Sequence, residues 1–138
     1  MKSNRSMPPG TIIPELPYPN VPKTVKWLCD TFGFVERLRI GDHRTQLTFA
    51  EGSIIVTKRQ SGPNSSLAGG CTVMVRLGDI DRHFERVEQS TAQIIQPPTD
   101  FPYGERQYVV EDPGGHRWVF SQTIADIDPQ VWGGRYLE

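Results

Sequence analysis

Residues 71–122 read CTVMVRLGDIDRHFERVEQSTAQIIQPPTDFPYGERQYVVEDPGGHRWVFSQ, and their patterns run strand, helix, strand, strand, strand. Cys71–Leu77 alternates its side chains with period two, as a half-buried strand does. Asp79 stands at a helix N-cap, where a short acceptor side chain satisfies a free N–H. Ile80, Phe84 and Val87 then recur at i, i+4 and i+7 and make one apolar face. Ala92–Gln96 is the next strand, and the proline-rich Pro97–Tyr103 reads as a loop. Arg106–Glu111 and His116–Gln122 are two strands joined by Asp112-Pro113-Gly114-Gly115. In that turn proline presets φ and glycine supplies a positive φ.

The same order occurs once upstream. TIIPELPY at 11–18 is a short strand, with Pro14 and Pro17 confining it to an edge. Asn20 caps a helix with Pro22 in its first turn, Val21, Val25, Leu28 and Phe32 on one face, and Gly33 at its exit. Phe34–Ile40, Arg44–Ala50 and Ser53–Arg59 follow as strands closed by Gly41-Asp42 and Glu51-Gly52. Asn20 and Asp79 lie 59 positions apart, and at that offset Gly33 falls on Ala92, the expected exit of the second helix. Residues 60–70, QSGPNSSLAGG, read as the connector. The fold class is therefore α+β: two tandem βαβββ modules forming a curved mixed sheet around a cleft. The expected domain is 11–134, with module one at 11–60, module two at 71–122 and a tail, 123–138, that packs across the sheet through Trp132 and Tyr136. A concave site between two such halves is the default place for a ligand.

Composition narrows the partners. The 138 residues carry 15 Lys and Arg against 16 Asp and Glu, a net charge of −1. No basic excess exists to displace counterions from nucleic acid or to hold an anionic membrane. No apolar run approaches the roughly 20 residues of a membrane helix, and MKSNRSMPPG has no signal-peptide core. A cytoplasmic location is expected, with Cys29 and Cys71 as buried, reduced thiols. The 13 Gly and 12 Pro are spread over separate turns, not gathered in one low-complexity tract.

The double pattern resembles the vicinal oxygen chelate superfamily of glyoxalase I, extradiol dioxygenases and bleomycin-resistance proteins. FGFVERLRI at 32–40 looks like that family's exit from the first helix, and YGERQYVVEDPGGHRWVF at 103–120 like its segment near the end of the second module. TIADIDPQVWGG at 123–134 looks like the tail of one branch of bacterial glyoxalase-like proteins. The resemblance covers roughly residues 11–134. It implies four metal-ligand positions, two on each module's first and last strands, which fall here on Ile13, Ile55 (within Ile54–Val56), Thr72 and Val119. Isoleucine and valine have no lone pair, and one threonine hydroxyl is a poor ligand. His43, His83 and His116 are scattered, with His83 expected on the solvent face of its helix. No metal and no other cofactor is expected. The resemblance also implies a homodimer, sometimes with exchanged halves.

Strand parity gives a cleft lining. Thr72, Met74 and Arg76 share one side of their strand, Gln107, Val109 and Glu111 one side of theirs, and Arg117, Val119 and Ser121 one side of the last. Ile13 and Glu15 share a side in module one. Phe101 and Tyr103 stand at the lip, where flat ligands stack, while Trp27, Trp118 and Trp132 are assigned to packing. The ligand-binding candidates are thus Met74, Arg76, Phe101, Tyr103, Gln107, Glu111, Arg117 and Val119. The expected function is metal-independent binding of a small amphipathic or aromatic molecule between the modules. The alternative is a lyase or isomerase using Glu15 and Glu111, or a relocated metal, with a carboxylate as general base. A third possibility is a structural or interaction module whose cleft is filled by its own side chains or by the tail.

Overall fold

The computed structural model describes residues 2–60 and 70–137, so most of the expected connector, 61–69, lies outside the described residues. The chain divides into two compact units, Met1–Ala68 and Gly69–Glu138.

Unit one runs β1 (Glu15–Tyr18), α1 (Val21–Phe32), β2 (Val35–Ile40), β3 (Arg44–Phe49) and β4 (Gly52–Lys58). Its sheet has the order β1-β4-β3-β2, with β1 parallel to β4 and the other pairs antiparallel. The first strand is shorter than its sequence pattern because Pro14 stops the ladder; its carbonyl takes a single bond from Ile55 N–H at 2.9 Å. Pro17 is tolerated because β1 is an edge. Helix α1 begins at Asn20, whose side chain accepts the Lys23 N–H at 3.1 Å, and ends at left-handed Gly33. Val21, Val25, Leu28 and Phe32 are all buried, over a sheet face that carries Leu16, Tyr18, Leu47, Ile54 and Val56. Asn20→Ala should remove about 1 kcal/mol of stability, seen as a lower urea midpoint at unchanged m-value.

Unit two repeats the plan: β5 (Thr72–Arg76), α2 (Ile80–Glu88), β6 (Gln93–Phe101), β7 (Glu105–Glu111) and β8 (Arg117–Thr123), in the order β5-β8-β7-β6. Register makes the repeat concrete. Glu15 lies beside Ile55 in one parallel pair, and Met74, 59 positions on, lies beside Val119 in the other. Tyr108, Val110, Trp118 and Phe120 are completely buried, as their parity requires. Burial accordingly holds the Tyr108 phenol far above its ordinary pKa.

The turn at 112–115 is fastened by one side chain. The Asp112 carboxylate accepts the N–H groups of Gly114 and His116 and the Trp118 indole N–H, each at 3.0 Å. The Asp112 main chain closes the same turn, its N–H reaching the His116 carbonyl and its carbonyl taking the Gly115 N–H.

Several expectations are corrected. Residues 97–101 are strand, not loop. β6 is an edge strand, and its pairing slips between Gln96 and Thr99, so Pro97 and Pro98 occupy an irregularity where no ladder donor is needed. Helix α2 stops at Glu88 with Gln89 as its cap, four residues before Ala92, because nothing there matches Gly33. His83 is not on the solvent face. Its Nδ1 stands 2.6 Å from the Tyr108 hydroxyl and its ring lies 4.4 Å from that of Phe120. Ile80, His83, Phe84 and Val87 form the i, i+3, i+4, i+7 stripe, so the histidine belongs to the packed face. The thiols are not buried: Cys29 is half-buried and Cys71, just before β5, is exposed. Partial desolvation still raises both thiol pKa values and leaves little thiolate.

Candidate functional site

The face of the unit-two sheet turned away from α2 carries Met74 and Arg76 from β5, Ser121 and Thr123 from β8, and Glu105 from β7. These form the floor of a pocket of about 600 Å³. Side-chain alternation puts them there: Tyr108, Val110, Trp118 and Phe120 point into the core, so their neighbours point outward. The wall is Tyr103, Gly104 and the tail, with Asp126, Ile127, Trp132 and Tyr136 facing the cavity.

Gly104 binds the tail to the sheet. Its carbonyl accepts the N–H groups of Ile124 at 2.9 Å and Ala125 at 3.2 Å. Its φ of +84° is open to glycine, and a Cβ placed there would stand 2.1 Å from the Ala125 carbonyl oxygen. Asp128 then caps a short 3-10 turn, Pro129–Trp132, by accepting the Gln130 N–H at 3.0 Å. That turn delivers Trp132 edge-on to Tyr103, with ring centroids 5.5 Å apart, and Tyr103 stacks on Phe101 at 5.3 Å.

The floor is polar in an ordered way. Glu105 accepts hydrogen bonds from the Ser121 hydroxyl at 2.6 Å and the Gln107 amide at 2.9 Å. Arg76 donates to the Thr123 hydroxyl at 3.2 Å, and among the described residues no ion pair engages Arg76 or Glu105. The cavity therefore presents one guanidinium, two carboxylates, Glu105 and Asp126, and the Met74 thioether beside an aromatic wall.

Met74, Arg76 and Tyr103 line this pocket, Phe101 supports Tyr103, and Gln107 orients Glu105. Val119 lies on the same sheet face between Met74 and Val109. Glu111 and Arg117 are not brought to the pocket. They face each other at the far end of β7 and β8 and pair at 3.4 Å. Glu15 pairs with Arg44 at 2.6 Å in unit one. Glu105 was missed because β7 starts one residue earlier than its pattern; the parity of Gln107 would have placed it. Trp132 is 40 % exposed and belongs to the pocket wall, not to the core.

Metal chemistry does not fit the carried-over positions. Thr72 opens β5, Ile55 and Val119 are apolar strand residues and Ile13 precedes β1, so four positions supply one neutral hydroxyl. Among the described residues no group of three or more His, Cys, Asp and Glu side chains converges as a metal site.

The model of the Glyoxalase/Bleomycin resistance protein/Dioxygenase superfamily matches residues 13–120. The chain belongs to this superfamily. TioX from Micromonospora sp. ML1 is a similar solved structure, at 36% identity and a TM-score of 0.72, covering 83% of this chain and 98% of that one. TnmS3, an antibiotic binding protein from Streptomyces sp. CB03234, has the same fold at 21% identity and a TM-score of 0.66, covering 80% of this chain and 93% of that one. Among curated proteins, the uncharacterized Rv0887c of Mycobacterium tuberculosis is 32% identical over 62 residues, 44% of this chain and 36% of that protein. The chain spans less than half the length of the curated relatives it matches. The superfamily match runs from Ile13 to Phe120, inside β8, while the end of β8 and the tail that walls the pocket lie beyond it. No helix among the described residues is long and apolar enough to cross a membrane.

Proposed function

We propose that this superfamily member binds a small amphipathic or aromatic molecule without a metal, and that the tail-walled pocket of unit two holds it. The observation that carries the reading is the pairing of an aromatic wall, Tyr103 and Trp132, with the fixed polar floor of Arg76, Glu105, Ser121 and Thr123 in a cavity of about 600 Å³. That volume lies within the range of sites for drug-sized ligands. A flat ring can stack on the wall while an anionic group meets Arg76 or a cationic one meets Glu105 and Asp126. The apolar residues at the carried-over metal positions support binding over metal-assisted turnover. The fold shared with TnmS3, an antibiotic binding protein, is consistent with such a ligand. A cytoplasmic homodimer that engages neither nucleic acid nor membrane completes the proposal.

Fluorescence titration with two aromatic probes, anilinonaphthalene sulfonate and aminoacridine, tests it. Saturable one-to-one binding of at least one probe is expected, weakened about tenfold or more in Trp132→Ala, since an aromatic anchor is lost. Equal binding to wild type and variant would sink the proposed site. A stoichiometric transition metal in the purified protein would sink metal independence.

A further inference from the structure

A second built site lies in unit one, on the sheet face turned away from α1. Gln46 and Ser53 project there from β3 and β4, opposite in direction to the core residues Leu47 and Ile54. Their exposures are 3 % and 6 % because the segment Arg5–Pro9 lies over them. The contacts are all of one kind. The Gln46 Nε2 donates to the Ser6 carbonyl at 2.7 Å, the Ser53 hydroxyl to the Pro9 carbonyl at 2.6 Å, and the Arg37 guanidinium to the Arg5 carbonyl at 3.1 Å. Arg37 also donates to the Gln46 Oε1, which fixes the amide with its N–H groups toward the segment.

The segment is matched to these donors because it offers them only acceptors. The Ser6 and Met7 N–H groups are consumed within its own turn, by the Asn4 side chain and the Asn4 carbonyl. Pro8 and Pro9 have no N–H, and Pro8 is buried against the sheet. Gly10, at φ +105°, then turns the chain away. Three donors, two of them on deeply buried side chains, thus read the Arg5, Ser6 and Pro9 carbonyls of a segment whose intervening N–H groups are already bonded or absent.

We infer that this face is a binding site for a proline-containing peptide segment, filled in cis by residues 5–9 acting as a displaceable strap. A tethered strap has an effective concentration in the millimolar range, so a free peptide at micromolar concentration does not compete with it. Releasing the strap would uncover Gln46 and Ser53 with their donors unpaired by protein, and a peptide of the same chemistry would take its place.

The experiment uses the full chain and a fluorescein-labelled peptide of residues 4–10, NRSMPPG. Two variants release the strap while leaving the three donors intact: Pro8→Asp puts a charge at a buried position, and Gly10→Val disfavours the positive φ. Trypsin cleavage after Arg5, followed by mass spectrometry, reports release. The expected result is faster cleavage in at least one variant, with peptide binding at least tenfold tighter than to wild type. A further Gln46→Ala or Ser53→Ala change in that variant should remove the binding. A released strap without peptide binding would overturn the inference, as would a strap that neither substitution releases.

Discussion

Asp112→Ala should lower stability by about 3 kcal/mol, with a fall in Tm on the order of 10 °C in calorimetry. Asp112 is 4 % exposed, and its carboxylate accepts from Gly114, His116 and the Trp118 indole. Alanine leaves those donors facing a small void, and hydrogen bonds to a charged group carry about 1.5–3 kcal/mol each before relaxation. The Trp118 ring is completely buried, so its N–H cannot turn to water without moving the core. Asp112→Asn should fall between wild type and alanine, because an amide oxygen accepts while its NH₂ confronts another donor. Pro113→Ala, at an exposed position, should cost well under about 1 kcal/mol. An Asp112→Ala loss no larger than that of Pro113→Ala would show that the turn does not depend on the carboxylate.

Gly104→Ala should weaken probe binding by more than tenfold although it removes no side chain from the pocket. A Cβ at 2.1 Å from the Ala125 oxygen meets backbone, which cannot swing aside as a side chain can. The positive φ adds about 1–2 kcal/mol of its own. Relief requires the tail to leave Gly104, breaking the bonds from Ile124 and Ala125 and removing Trp132 and Tyr136 from the cavity wall. The expected stability loss is only about 2 kcal/mol, because the tail contributes little to the core. Probe affinity should nevertheless fall by more than tenfold, and proteolysis of residues 124–137 should accelerate. Wild-type affinity in Gly104→Ala would show that the tail does not form the binding wall.

The two outcomes differ in how far the sequence foretells them. Helix caps, strand parity and the 112–115 turn are local: Asn20, Asp79, Gly33 and the Asp-Pro-Gly-Gly run act within a few residues, so their patterns can be read directly. The superfamily resemblance had the same source. What escaped is set by contacts between distant segments. Pro97 and Pro98 look like a loop until β6 is known to be an edge. His83 looks polar until Tyr108 is placed opposite it. Trp132 looks like core until Gly104 holds the tail 20 residues downstream across the sheet. Position along a strand is equally hidden: parity puts Arg76, Glu111 and Arg117 all on the face turned away from α2, but only Arg76 stands beside the pocket, while Glu111 and Arg117 pair at the far end of β7 and β8.

The irregular β6 has a consequence for life in a concentrated solution. A sheet's outer strand exposes a row of amides that can template a foreign strand and seed aggregates. Pro97 and Pro98 supply no N–H where an edge ladder would need one, and the register slips on both sides of Gln96 interrupt the regular row. The stretch that seemed unfit to be a strand thus keeps this sheet finite: it completes the pairing with β7 and offers the next chain a poor surface on which to grow.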